Sequence, residues 1–225
     1  MTKQGIIDKT RAIMNEIGEE ENLSLLSEDT VKLAEYIESV IPDAINLIAQ
    51  DENVSIALLN TGNMTSGGTS SEGCTVIPLP QDFLRFVSLR LSGWKREVQR
   101  VSPFGSEDYK IQHNAVTRSG VNKPSCVFSH NKTGLCIECF PSGELQYFNY
   151  VKSMTDLSDD SLSNYGESLM PAICYACAYL VYNIFEMPNV AERMLKIAVQ
   201  VLPKIRVICC MRLKMTILYL KLSQK

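Results

Sequence analysis

Two CxxC pairs are the first residues of this chain whose types and spacing could do chemistry: Cys136-Ile-Glu-Cys139 and Cys174-Tyr-Ala-Cys177, with His130 close to the first in sequence. Thiolates and imidazoles so spaced bind zinc when a turn gathers them on one side. The two pairs lie far apart in the chain, and the first falls in a segment of strand character, where residues three apart point to opposite faces. The second lies on an apolar helical face, where packing is the plainer reading. No metal and no cofactor are expected, and a small zinc-dependent enzyme ranks last among the functional readings.

Nucleophilic catalysis by a thiol needs a neighbouring base, and the chain holds only His113 and His130, neither in a recognisable nucleophile setting. Gly67 and Gly68, within Thr65-Ser-Gly-Gly-Thr69, lack the Lys and the strand-to-helix frame of a phosphate-binding loop. The acidic pair Asp159 and Asp160 most simply favours a helix start. No catalytic constellation emerges, so the expectation is that the protein is not an enzyme.

A different signal surrounds Trp94, the only tryptophan: Arg85 and Arg90 precede it, and Lys95, Arg96 and Arg100 follow. A basic stripe with an aromatic suits DNA phosphates, which makes a nucleic-acid-binding module over Arg85–Arg100 the alternative function. A solvated strand edge or a subunit contact accounts for the same residues and is preferred, because Lys plus Arg number 22 against 25 for Asp plus Glu and the net charge is −3.

The elements that must position these residues follow from patterning. With 225 residues, 45% of them hydrophobic, the chain can bury a substantial core. Nothing in Met1–Asp8 resembles a secretory signal, so a reducing compartment and no disulfides are expected despite eight cysteines. The apolar stretch Val199–Leu222 is interrupted by Lys204, Arg206, Arg212, Lys214 and Lys221, which argues against a membrane span.

Ile6, Ile7, Thr10, Ile13, Met14 and Ile17 share one helical face, with Gly18 as the expected stop. A second amphipathic helix follows from Ser27, and Pro42 should kink or split it. The small polar run from Asn60 to Gly73 reads as a mobile loop. Short runs rich in β-branched and aromatic residues then predict strands at Thr75–Leu79, Phe83–Ser92, Cys126–Ser129, Leu135–Phe140 and Leu145–Tyr150. His130–Gly134 and Pro141–Glu144 read as hairpin turns. Helical spacing returns beyond Asp159, where Leu169, Ile173, Cys174, Cys177, Leu180, Val181 and Ile184 should face a core, and a further helix spans Val190–Val201.

The fold class is therefore α+β: a helical bundle, formed by N-terminal and C-terminal helices, with an inserted antiparallel β-sheet of hairpins. The expected parts are N-terminal helices over 1–59, a flexible polar loop over 60–74, the sheet region over 75–155, closing helices over 156–203 and a C-terminal arm over 204–225.

The stretch Val76-Ile-Pro-Leu-Pro-Gln-Asp-Phe-Leu-Arg-Phe-Val87, followed by Trp94 and Val98, resembles the "LPxDFLR…W…V" segment of phage head-to-tail connector, or adaptor, ring proteins of short-tailed phages. Tyr109, Pro124 and the strands to Tyr150 fall in suitable places, and the likeness in order of elements covers most of residues 4–203. The resemblance implies a homo-oligomeric ring, typically of twelve subunits. Such a ring sits beneath the portal protein in the virion neck, lines the channel for DNA and docks the next tail or neck protein, after assembly in the host cytoplasm. The long polar loop suggests a phage of gut bacteria such as the crAss-like group.

The motif also has a direct physical reading. Pro78 and Pro80 fix two φ angles and remove two donors, Asp82 can cap the turn, and Phe83 re-enters a core, so that Pro78, Pro80, Asp82, Phe83, Arg85 and Trp94 form a structural corner. Lys95, Arg96 and Arg100 are the candidate contacts to channel DNA or a neighbouring subunit.

Overall fold

The computed structural model describes residues 1–20, 27–71, 73–132 and 134–203. Helix α1 spans Lys3–Glu20 and α2 spans Ser27–Gln50. Ile6, Ile7, Thr10 and Met14 of α1 are buried against Leu33, Ile37, Ile41, Ala44, Ile45 and Ile48 of α2, as the periodicity predicts. Neither helix is divided at its expected breakpoint. α1 continues through Gly18, which shows that one glycine costing about 1 kcal/mol does not by itself end a helix. α2 is not split at Pro42, where the ring removes one intrahelical donor while the apolar face on either side stays buried.

A 3₁₀ turn at Ile56–Leu58 leads into the strands: β1 Thr61–Met64, β2 Thr69–Ser71, β3 Cys74–Pro78, β4 Phe83–Leu91 and β5 Val101–Ser102. A short helix α3, Glu107–Gln112, is capped by Ser106, whose Oγ accepts from Tyr109 N. Strands β6 Ser125–Asn131, β7 Gly134–Phe140 and β8 Leu145–Lys152 follow, and α4 Asp159–Ser163, α5 Met170–Ile184 and α6 Pro188–Val201 close the chain. The α+β class holds, but the inserted region is two sheets, one ordered β1-β8-β4 and one ordered β2-β3-β7-β6-β5.

The polar run read as a loop supplies β1 and β2, which pair antiparallel with β8 and β3. Its smallness is what admits it to the sheet: a Cβ on Gly62 would lie 2.4 Å from the Tyr150 ring. β6 and β7 pair antiparallel out to Asn131↔Gly134, the hairpin expected about His130–Gly134, with His130, Asn131 and Gly134 themselves in the strands. Pro141–Glu144 is not a hairpin, because it carries the chain from β7 in the five-stranded sheet to β8 in the three-stranded one.

The layers follow from strand alternation. Val151 of β8, with Leu84 and Val87 of β4, packs into the helical core, whereas Phe148 and Tyr150 of β8 join Leu89 and Leu91 of β4 and Ile77, Cys126, Ile137 and Cys139 of the other sheet. The molecule is thus helices, then the three-stranded sheet, then the five-stranded sheet. Leu169, just before α5, and Ile173, Cys174, Cys177 and Val181 within it are buried as expected, but Leu180 is only half-buried and Ile184 is 48% exposed, since the helix ends there and Glu186 turns the chain with φ 58°. No described helix is long and apolar enough to cross a membrane. The expected arm over 204–225 lies outside the described residues.

Candidate functional site

The proline-bounded segment is the joint between the layers. Leu79 N still donates to Leu135 O (3.2 Å), continuing the β3–β7 ladder, and Phe83 N then donates to Pro80 O (3.1 Å) to close the turn that starts β4. Pro78 and Pro80 thus sit where the chain leaves one sheet for the other, as their missing donors require.

Asp82 does not cap that turn. Its carboxylate is directed at β8, accepting from the Tyr150 hydroxyl at 3.0 Å and lying 3.6 Å from Lys152 Nζ, while its carbonyl accepts from Ser153 N at 2.7 Å. Burial first, and the bond to Asp82 second, push the Tyr150 phenol up to about 12. Phe83 packs its ring 6.1 Å from those of Phe148 and Tyr150 and 6.3 Å from Phe128, so one side chain touches both sheets.

Arg85 bolts the sheet to the bundle. Its Nη1 donates to the Asp51 carbonyl and its Nη2 to that of Val54 (3.3 Å), immediately past the C-terminal end of α2. A cation there complements the negative helix terminus. Burial lowers the Arg85 pKa and the Asp51 and Glu52 charges oppose that shift, so the guanidinium keeps its proton and its fork of donors. It lies in the wall of a cleft of about 470 Å³, which Glu52, Ile56, Phe86, Gln99 and Arg100 also line.

Trp94 is 2% exposed, and its Nε1 donates to Pro141 O at 2.9 Å, which ties the segment after β4 to the second crossover between sheets. That crossover is further pinned by Ser92 N to Glu144 O (2.8 Å) and Thr75 Oγ1 to Gly143 O (2.8 Å). Every residue of the corner motif is therefore in or beside the two joints. Sequence reasoning missed the partners Tyr150, Pro141 and Thr75; the Pro-Ser-Gly run pointed to a turn but not to where it led.

Only part of the basic stripe is surface. Trp94 is inside, Arg85 is turned to backbone carbonyls, and Arg90 Nη2 donates to Trp94 O at 3.3 Å. Base stacking on Trp94 is precluded, so any nucleic-acid contact of the stripe falls to its exposed cations and the phosphates they could meet. Lys95, Arg96 and Arg100 remain exposed.

The two CxxC pairs do not converge: Cys139 is in the core between the sheets, and Cys174 and Cys177 are in the helical core. Cys136 faces Ser129 across the ladder while Cys139 faces Cys126, as strand alternation predicts. No group of three His, Cys, Asp or Glu residues among the described ones is placed to hold a metal ion. His113 Nε2 approaches Glu138 Oε2 at 3.0 Å and holds α3 on the sheet.

A search of individual curated proteins finds no match. The family model described as SU10 adaptor protein matches residues 1–199, and the chain belongs to that family of phage structural adaptor proteins.

Proposed function

We propose that the chain is one subunit of a homo-oligomeric head-to-tail connector ring, twelve copies closing beneath the portal protein, lining the DNA channel and docking the next tail or neck protein. The observation that carries this reading is the adaptor-family match over residues 1–199. Physical support comes from the joints. Head-to-tail contacts close into a ring only if each copy presents its two contact surfaces at a fixed angle, and a hinge between layers would let the assembly run open. Asp82, Arg85 and Trp94 each brace a place where such a hinge would otherwise sit.

Lys95, Arg96 and Arg100 are the channel-side candidates. DNA that must slide is best met by a few exposed cations contacting phosphates without reading bases, on a chain whose net charge is −3. The test is native mass spectrometry of the purified chain, alone and with its cognate portal. A closed ring in either sample supports the reading, and a monomer that ignores the portal overturns it.

A further inference from the structure

Cys126 and Cys139 are Cα partners on the antiparallel strands β6 and β7, and their sulfurs lie 3.5 Å apart. Both are buried, at 1% and 0% exposure, in the core between the two sheets. The ladder is in register on both sides, from Ser125↔Phe140 to Asn131↔Gly134, so the two thiols are held facing one another by the backbone. Directly opposed residues place their Cβ atoms about 4.5–5.5 Å apart, and a disulfide needs about 3.5–4.5 Å with sulfurs near 2.05 Å. Side-chain rotation and a small strand approach close that gap.

We propose that this pair is an oxidation site: reduced when the chain is made, and joined as a cross-strand disulfide once the protein meets a small-molecule disulfide outside the cell. A virion component is built among reducing thiols and then persists where disulfides are stable. Only this supply of oxidant rests on the functional reading above; the chemistry is a property of the isolated chain. One cysteine, as thiolate, attacks the reagent R–S–S–R and releases RS⁻, which takes up a proton. The second cysteine then attacks the resulting mixed disulfide at the protein sulfur and releases the second RS⁻. The balance is two protein thiols plus R–S–S–R giving one protein disulfide plus two R–SH, with the protein oxidised and the reagent reduced.

Burial governs the rate. Desolvation holds the Cys139 thiol well above its ordinary pKa, so the closed sheet offers little thiolate. Access comes through local opening at the sheet edge, where β6 is flanked by the two-residue strand β5, whose Val101 pairs with Cys126, and by the short helix α3.

The experiment incubates the purified full-length chain with excess glutathione disulfide, with and without urea below the unfolding transition, and maps cysteines by non-reducing peptide mass spectrometry. Expected are a linked peptide joining Cys126 to Cys139, faster formation in urea, and a melting temperature about 5–10 °C above that of the same sample after reduction. Comparing one wild-type sample before and after reduction needs no variant that could misfold. Thiols that stay free, glutathione adducts alone, a bridge between other cysteines, or a linked protein that melts no higher would each overturn the proposal.

Discussion

Replacing Arg85 by Met keeps the unbranched stem and deletes the fork that donates to the carbonyls of Asp51 and Val54. Hydrogen bonds from a charged donor contribute about 1.5–3 kcal/mol each, but both of these bonds are only part-buried, so water replaces some of what is lost. Relief of the burial that lowers the Arg85 pKa acts in the same compensating direction. A net loss of about 2–3 kcal/mol follows, which for a chain of this size lowers Tm by about 5–10 °C. The assay is urea unfolding followed both by far-ultraviolet circular dichroism, dominated by the helices, and by Trp94 fluorescence, which reports on the sheet joint. In the wild type the two transitions coincide; in Arg85→Met the loss of the bolt separates them. Arg85→Lys, which reaches one carbonyl but not both, recovers less than half of the loss. An Arg85→Met protein within about 0.5 kcal/mol of wild type, a deviation typical of inert surface sites, would refute the reasoning.

Three further outcomes are expected. Tyr150→Phe removes the hydroxyl that bonds Asp82 and costs about 1–2 kcal/mol by chemical denaturation. Because the folded phenol titrates at about 12, above its ordinary value of 10.0, its contribution is intact below pH 10 and lost as the pH rises toward 12; the wild type loses stability over that window and Tyr150→Phe lacks this portion of the loss. Trp94 emission is blue-shifted relative to the unfolded chain, as its burial requires, and Trp94→Phe costs about 2–4 kcal/mol from the lost bond to Pro141 plus the cavity, measured by circular dichroism. The triple variant Lys95→Glu, Arg96→Glu, Arg100→Glu leaves Tm within about 2 °C of wild type, since all three are exposed, while weakening and flattening the salt dependence of double-stranded DNA binding by the assembled ring.

The strands were legible because β-branched and aromatic runs were separated by glycine and proline, and the helices because their apolar faces repeat at helical spacing. What escaped was whatever depends on a partner distant in sequence. Thr61–Met64 is a strand because β8 lies alongside and Gly62 makes room for Tyr150, information absent from a polar run read alone. Pro141–Glu144 announced a turn, yet the choice between returning to the same sheet and crossing to the other is made by Trp94 and Thr75. Within the basic stripe a related limit applies: charge and aromaticity along the chain do not say that Arg85 and Arg90 end on backbone carbonyls while Lys95, Arg96 and Arg100 stay exposed. In the proline-bounded segment the missing donors of Pro78 and Pro80 are visible along the chain, but the partners of Asp82, Tyr150 and Lys152, are not.

The central claim, a ring built from a braced subunit, is tested most directly by native mass spectrometry of wild type and Arg85→Met side by side, each alone and with the cognate portal. A closed wild-type ring, with Arg85→Met forming incomplete or heterogeneous oligomers at a temperature where it remains folded, is the predicted result. A wild-type chain that stays monomeric in both samples would contradict the account.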